Sequence, residues 1–520
     1  MKKFFNIAGP CHPAKHYMLP TQERCQGLFD LIEQEQYFVI HAARQSGKTT
    51  LLFELEQQLN VSGKYQTLYC SLEALQGIED AKEGIPLIVA ELRAEIGIHA
   101  DLQDHSFAQQ AHDGNYANML RLALSAFCGQ LTRPLVILFD EIDCLANGTL
   151  ISFLRQLRYG YVNRSRAPFV HALVLVGMRN IRDYKAHIRD ERDTLGSASP
   201  FNIAKVSKTL RNFTRAEIAA LYAQHTAVTG QSFPPDMIDR VSAWTQGQPW
   251  LVNAIACEII ENILRADVAQ PILADDVDQA VHAIILRRAT HVDSLMERLR
   301  EERVRKIVES VIIGERKRYD LLDDDYRYVL DLGLLREDQT TLVPANPIYG
   351  EIIVRTLNFR SQLELGDLET VPDAPAYLVA GRLDMTKLLR DFQQFWRENS
   401  DIWIKKYEYQ EAAPHLILQA FLQRIINARG QVTREMAAGT QRLDLCLHYQ
   451  GVKYPLELKL RYSQKTYTEG ASQLAAYMDT LGCAEGWLIV FDRRKKTPWK
   501  QKIFWRTQQL AEKTIHLVGC

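Results

Sequence analysis

The chain has 520 residues, more than one hydrophobic core organises, and domains of roughly 100–200 residues imply several units. Apolar residues make up 47% and charged residues 24%, the balance of an ordinary soluble globular protein. A net charge of -1 excludes a global pull toward nucleic acid or membrane, and no apolar stretch is long enough to span a bilayer.

The charge is unevenly spread. Residues 401–520 hold 18 Lys and Arg against 11 Asp and Glu, so this end is basic and the remainder acidic. Such a region suits a polyanion, and equally a solvated basic face. Nine cysteines without a C-x-x-C pair fit free thiols in a reducing cytosol, and a cytoplasmic location is expected. The start, Met1-Lys2-Lys3-Phe4-Phe5, imitates a signal peptide only faintly, because Pro10, His12 and Pro13 break its apolar stretch.

In chain order, residues 1–36 are mixed, with turn formers at Gly9-Pro10 and Pro20. Tyr37–Ile40 reads as a buried strand, followed by a Gly-Lys-Thr-Thr turn and a helix with Leu51, Leu52, Leu55 and Leu59 on one face. Tyr65–Cys70 is a second strand, and helical patterns fill about 86–128. Leu135–Phe139 and His171–Val176 are further strands, so alternating strands and helices imply a parallel α/β sheet. Beyond Pro200 the pattern turns helical. Thr214 and Glu217 are spaced as the two halves of a capping box. Short helices and a hairpin near Leu334–Val343 read as a winged helix over about 298–358. Residues 360–400 contain Pro372 and Pro375 and read as a linker with one helix. From about 407 the order is helix, three strands, helix, strand.

The segment from Ala42 to Thr49 approximates the Walker A loop G-x-x-x-x-G-K-[ST], with Ala42 in place of the first glycine. Backbone amides of Ala43, Arg44, Gln45, Ser46, Gly47, Lys48, Thr49 and Thr50 are expected to wrap phosphates at a helix N-terminus. Lys48 neutralises the β and γ phosphates, and Thr49 ligates Mg²⁺. A carboxylate at the tip of a buried strand needs a cation or hydrogen-bond partners, which marks Asp140 as the second Mg²⁺ residue. Glu141 is placed to polarise an attacking water, and Arg179 to sense the γ-phosphate. ATP and Mg²⁺ are the expected ligands.

These residues, with Gly247-Gln248-Pro249, resemble the AAA-like ATPases of the STAND group over roughly residues 1–358. The resemblance implies a helical lid whose Gly-x-Pro turn, here Gly247 and Pro249, packs near the adenine. It also implies a winged helix and a nucleotide-governed switch that forms a homo-oligomer. From the residues alone, the turn is a helix stop and restart.

Near the C-terminus, Arg442–Leu447 alternates like a half-buried strand, and a turn at Tyr449–Gly451 leads into Tyr454–Leu460. Period two puts Glu457 and Lys459 on one face, and a hairpin brings Asp444 beside Glu457. Two carboxylates and a lysine form a set for a metal ion and a water directed at a phosphodiester. The order resembles the PD-(D/E)XK nuclease fold over about residues 405–495, with Leu443 where the motif has proline. The resemblance assigns metal binding to Asp444 and Glu457, catalysis to these with Lys459, and supporting roles to Glu411, Glu435, Gln473 and Tyr477. Mg²⁺, or alternatively Mn²⁺, is the metal implied, and DNA the partner.

The expected architecture is therefore α/β and multidomain: a P-loop parallel α/β ATPase over 1–200, a helical lid over 201–290 and a winged helix over 291–360. A linker with a helix follows over 361–400, then a C-terminal α/β PD-(D/E)XK nuclease-like domain over 401–520. The expected function is an ATP-hydrolysing switch that gates a DNA endonuclease, in defence against foreign DNA by analogy. The alternative is an ATP-dependent regulatory or DNA-binding scaffold that does not cut.

Overall fold

The structure is a computed structural model. It describes residues 3–107, 115–178, 204–287, 297–312, 323–339, 341–353, 356, 377–379, 381–406, 414, 417–418, 421–422, 430–433, 445–461, 465–492, 494 and 497–520. The chain divides into two compact units, Met1–Glu297 with Arg318–Ile348, and Arg298–Lys317 with Tyr349–Cys520.

The first unit is built on a parallel sheet of β1 (Tyr37–His41), β2 (Gln66–Ser71), β3 (Leu135–Asp140), β4 (Ala172–Gly177) and β5 (Ala204–Thr209), in the order β2-β3-β4-β1-β5. Every residue of β1, β3 and β4 is buried, which is why these strands read as unbroken apolar runs. Alternate side chains face opposite layers. Tyr37, Val39, Ile137 and Phe139 pack with α3 (Ala81–Ile98), α4 (Tyr116–Cys128) and α5 (Asn147–Asn163). Phe38, Ile40, Val136 and Leu138 pack with α1 (Leu28–Glu33) and α2 (Lys48–Val61), where Leu51, Leu52, Leu55 and Leu59 are all buried. The strand β5 was not expected, because Lys205 and Lys208 interrupt its apolar pattern.

The helices α6 (Arg215–Thr229), α7 (Pro235–Thr245), α8 (Pro249–Cys257) and α9 (Ala274–Arg287) follow β5. At the start of α6 the capping box is present: Thr214 caps the Glu217 amide, and the Glu217 carboxylate accepts the Thr214 amide. Of the residues expected to form a winged helix, α11 (Asp324–Asp331) and the hairpin β6–β7 (Leu335–Asp338, Thr341–Pro344) belong to this first unit, and α10 (Glu302–Ile312) to the second.

The second unit holds a mixed sheet ordered β10-β11-β12-β13-β15-β14. Its strands are β10 (Gly430–Thr433), β11 (Leu445–Tyr449), β12 (Val452–Leu460), β13 (Glu485–Phe491), β14 (Phe504–Leu510) and β15 (Lys513–Gly519), preceded by the short hairpin β8–β9 (Leu378–Val379, Arg382–Leu383). The helix α12 (Met385–Lys406) sends Leu388, Leu389, Phe392, Phe395 and Trp396 into one face of the sheet, against Leu447, Leu456, Leu458, Ile489 and Phe491. The helix expected within the linker is thus part of this core. On the opposite face, α13 (Lys465–Leu481) packs Ala471, Leu474, Tyr477 and Met478 on Cys446, Leu488, Val490, Ile515 and Leu517. Sequence reasoning omitted the β14–β15 hairpin, since β14 is an edge strand rich in exposed polar residues. Among the described residues, no helix is long and apolar enough to cross a membrane.

Candidate nucleotide site and a second acidic site

At the end of β1 the chain leaves the sheet pinned to β4, the Ala42 amide donating to the Gly177 carbonyl at 3.2 Å. The loop then turns through left-handed backbone at Gln45 (φ 55°) and Gly47 (φ 91°) and enters α2. Ala42 itself does not have positive φ and is buried in the core, so a Cβ is accommodated where the motif has glycine. Lys48 folds back over the loop, its Nζ donating to the Ala42 and Ala43 carbonyls at 3.1 Å each. Burial pushes the Lys48 pKa down, while the carboxylates of Glu141, Asp143 and Asp140 oppose that shift.

The Thr49 hydroxyl donates to Asp140 Oδ2 at 2.7 Å, which joins the start of α2 to the tip of β3. Asp140 is 1% exposed, and its Oδ1 accepts the Glu141 amide at 2.9 Å. Glu141 holds left-handed backbone (φ 54°), a strained conformation for a residue with a side chain. Burial raises its carboxyl pKa, and Lys48 works against that rise. Asp143 accepts the Met178 amide just beyond β4. The C-terminal ends of β1, β3 and β4 thus bring Lys48, Thr49, Asp140 and Glu141 together, where open α/β sheets bind ligands. Ser46 is buried, with its hydroxyl on the Ala43 carbonyl, and Thr50 accepts the Cys11 amide at 3.0 Å, whereas Arg44 and Gln45 are exposed. Arg179 lies outside the described residues.

The Gly247–Pro249 turn meets the same loop. Gln248 Nε2 lies 3.4 Å from the Gln45 carbonyl and 3.5 Å from that of Arg44, and Pro249 is buried at the start of α8. The left-handed Gly247 (φ 71°) accepts the Phe213 amide at 2.8 Å. Three further neighbours carry no sequence motif. Arg24 is buried and donates to the Ser46 carbonyl at 2.7 Å. A Cβ built on Gly333 would lie 2.4 Å from Ala43 Cβ, so the turn after α11 packs closely on the loop. Asp331 approaches His41 at 3.8 Å.

The loop fits a nucleotide with Mg²⁺. A buried ammonium held by two loop carbonyls is poised to exchange them for phosphate oxygens, and Thr49 with Asp140 supplies adjacent hard oxygen ligands.

In the second unit, Leu445 pairs with Leu456, and β12 runs parallel to β13 with Glu457 opposite Leu488. Glu457 and Lys459 point away from the Leu456 and Leu458 face, toward α13. Glu457 is 0% exposed and Lys459 Nζ sits 2.7 Å from its Oε1. A Cβ on Gly470 would lie 3.3 Å from Lys459 Cγ, which places the first half of α13 against this lysine. Gln473 and Tyr477 lie on the same helix one and two turns beyond Gly470. Tyr477 is buried, and Gln473 Oε1 is buried without a hydrogen-bond partner among the described residues. Asp444, Glu411 and Glu435 lie outside the described residues. Among the described residues, no group of three His, Cys, Asp or Glu side chains is placed to hold a metal ion.

A family model for an AAA-like domain matches residues 17–353. The chain belongs to this AAA-like domain family. The matched region spans the whole of the parallel sheet, the loop around Lys48 and helices α6–α9, and it identifies the first unit as a P-loop ATPase-type domain. Residues 385–495 match a domain of unknown function (DUF8371), which begins at α12. No curated protein matches the chain. Among solved structures, a Walker-type ATPase of Pyrococcus abyssi is similar at 12% identity and a TM-score of 0.48, covering 67% of this chain and 99% of that one. The Orc1 protein of Aeropyrum pernix, solved with DNA, is similar at 14% identity and a TM-score of 0.34, covering 67% of this chain and 85% of that one. The RuvB Holliday-junction branch-migration motor of Thermotoga maritima is similar at 12% identity and a TM-score of 0.32, covering 61% of this chain and 88% of that one. All three TM-scores lie below 0.5, so the AAA-like assignment rests on the family match and on the loop geometry.

Proposed function

We propose that this chain is an ATP-hydrolysing switch whose nucleotide cycle gates a metal-dependent DNA endonuclease carried by its second unit. The observation that carries the first half is the hydrogen bond from Thr49 to Asp140 beside a buried Lys48. Bound Mg²⁺ supplies charge stabilisation on the phosphates, and Thr49 and Asp140 are the residues that hold it. Lys48 offsets charge on the β and γ phosphates. Glu141, its carboxyl pKa raised by burial, accepts a proton from or orients the attacking water. Arg179 is assigned to the γ-phosphate, and Pro249 to the adenine side of the site. The AAA-like assignment favours a homo-oligomer, and of the expected winged helix, α11 and the β6–β7 hairpin serve the ATPase-type unit to which they belong.

The nuclease half is supported by Glu457 and Lys459 sharing one face of β12 under the Gln473 and Tyr477 helix. Asp444 and Glu457 hold Mg²⁺ or Mn²⁺, which supplies charge stabilisation at a phosphodiester. Lys459 positions the water, and Glu411 and Glu435 support the site. A role in defence against foreign DNA follows from the resemblance of this combination to switch-nuclease fusions. The full burial of Glu457 in contact with Lys459 favours a second reading, in which the pair is structural and the chain is a DNA-binding or signalling scaffold. Incubating purified protein with plasmid DNA and Mg²⁺ or Mn²⁺ separates the two. Cleavage that disappears in Glu457→Gln supports the nuclease, and cleavage unchanged by that substitution removes it.

A further inference from the structure

Arg24 ends a short 3-10 turn, Gln22–Arg24, ahead of α1. The turn is tethered to α2, because Thr21 donates both its amide (2.9 Å) and its hydroxyl (2.6 Å) to Glu54 Oε2. From this anchor the Arg24 side chain runs inward and is 4% exposed. Its Nη2 donates to the Ser46 carbonyl at 2.7 Å, in the middle of the phosphate loop. Its Nε donates to the Arg211 carbonyl at 2.8 Å, at the exit from β5. The guanidinium lies over the Phe213 ring, 4.6 Å from the centroid, and the Phe213 amide is the donor to Gly247. The third nitrogen, Nη1, faces Gly47, lying 3.4 Å from the point a Cβ there would occupy.

This arrangement is unusual for a buried arginine. A guanidinium taken out of water is normally matched by a carboxylate. Here the hydrogen-bonding partners are two backbone carbonyls. The carboxylate that most offsets its burial, Glu217, is bound by Arg211 rather than by Arg24. Burial draws the Arg24 pKa down to about 10, still well above neutrality, so the group stays charged. A cation held this way beside a loop built to take polyphosphate is compensated when the anion arrives.

We infer that Arg24 is a positioning residue of the nucleotide site, fixing the Ser46–Gly47 backbone and tying it, through Arg211 and Phe213, to the Gly247–Pro249 turn. Setting the phosphate loop and the turn that carries Gln248 then becomes one event rather than two. The inference rests on the reading of the loop as an ATP site. Lysine at position 24 keeps the charge but has no fork, and cannot reach two carbonyls in fixed geometry. Methionine keeps the stem and removes every donor.

The test measures ATP and ADP dissociation constants for wild type, Arg24→Lys, Arg24→Met and Gly247→Ala, and for the double variant Arg24→Lys/Gly247→Ala. Measurements are made at a temperature where circular dichroism shows each protein native. Loss of one charge-assisted hydrogen bond to the loop weakens both nucleotides by about 10- to 100-fold. The two substitutions are expected to be non-additive, the double variant losing less than the product of the single effects. A merely structural arginine lowers the melting temperature and leaves the dissociation constants of the folded protein unmoved. Wild-type protein that bound no nucleotide would refute the ATPase reading and this inference with it. Wild-type binding together with wild-type constants in Arg24→Lys, or strict additivity with Gly247→Ala, would overturn the inference alone. Should Arg24→Met fail to fold, Arg24→Lys still decides.

Discussion

Replacing Gly247 by alanine probes the contact between Phe213, in the segment joining β5 to α6, and the α7–α8 turn, and a second glycine supplies the control. Both Gly247 (φ 71°) and Gly230 (φ 77°) have left-handed backbone. Gly230 caps α6, and a Cβ there meets nothing within 4 Å. Gly230→Ala therefore reports the backbone cost alone, about 1–2 kcal/mol. At Gly247 a Cβ falls 1.9 Å from the Phe213 carbonyl oxygen and 2.9 Å from its carbon, both main-chain atoms that cannot swing away. Relief requires the Phe213 backbone and the turn to part, which breaks the 2.8 Å bond from the Phe213 amide to the Gly247 carbonyl. That bond contributes about 1 kcal/mol, and repacking around Phe213 adds about 1–3 kcal/mol. Gly247→Ala should thus destabilise the ATPase-type unit by about 3–6 kcal/mol, against about 1–2 kcal/mol for Gly230→Ala. Calorimetric unfolding of the nucleotide-free chain measures both. Equal shifts in the two variants would refute the close approach of Phe213 and Gly247, through which Arg24 is tied to this turn.

Lys48→Ala removes the buried ammonium, and ATP binding measured by titration calorimetry should weaken by at least about 10- to 100-fold. Glu141→Gln should leave the ATP dissociation constant near wild type and slow single-turnover hydrolysis by about 10²- to 10⁴-fold; unchanged hydrolysis would remove Glu141 as the water's partner. Acid stability tests the Arg211–Glu217 pair at the start of α6. Hydrogen bonds from Arg211 hold the Glu217 carboxyl at about 2, below its usual 4.5. A depressed folded-state pKa means that its stabilisation is complete above pH 4.5 and is lost as the pH falls toward 2. Glu217→Gln should flatten the stability profile across that window, and an unchanged acid limb in urea unfolding would contradict the assignment.

How much of this was legible follows from how local each feature is. The phosphate loop announces itself because strand, glycine, lysine and helix are contiguous, and Asp140 because a carboxylate closes the apolar run of β3. The capping box at Thr214 and Glu217 is equally local. Arg24 offers no such signal: its partners are 22 and 187 residues away in sequence, and nothing in its own neighbourhood marks it as buried. Gly333 meets Ala43 for the same long-range reason. The helix α12 had a readable pattern in Leu388, Phe392, Phe395 and Trp396, but Pro372 and Pro375 drew the reading toward a linker. At the second site, period two puts Glu457 and Lys459 on one face of β12, and the two side chains lie 2.7 Å apart. The total burial of Glu457 was not legible, because it depends on α13 and on neighbouring strands distant in sequence.

Cleavage of duplex plasmid DNA by the intact chain, in Mg²⁺ or Mn²⁺ with and without ATP, tests the central claim most directly. Lys48→Ala, Glu457→Gln and Asp444→Asn proteins run beside wild type. The account requires metal-dependent cleavage by wild type, its loss in Glu457→Gln and Asp444→Asn, and a response to ATP that Lys48→Ala abolishes. Wild-type protein that hydrolyses ATP yet cuts no DNA under any of these conditions, or cuts it identically in all four proteins, would contradict a nucleotide-gated nuclease.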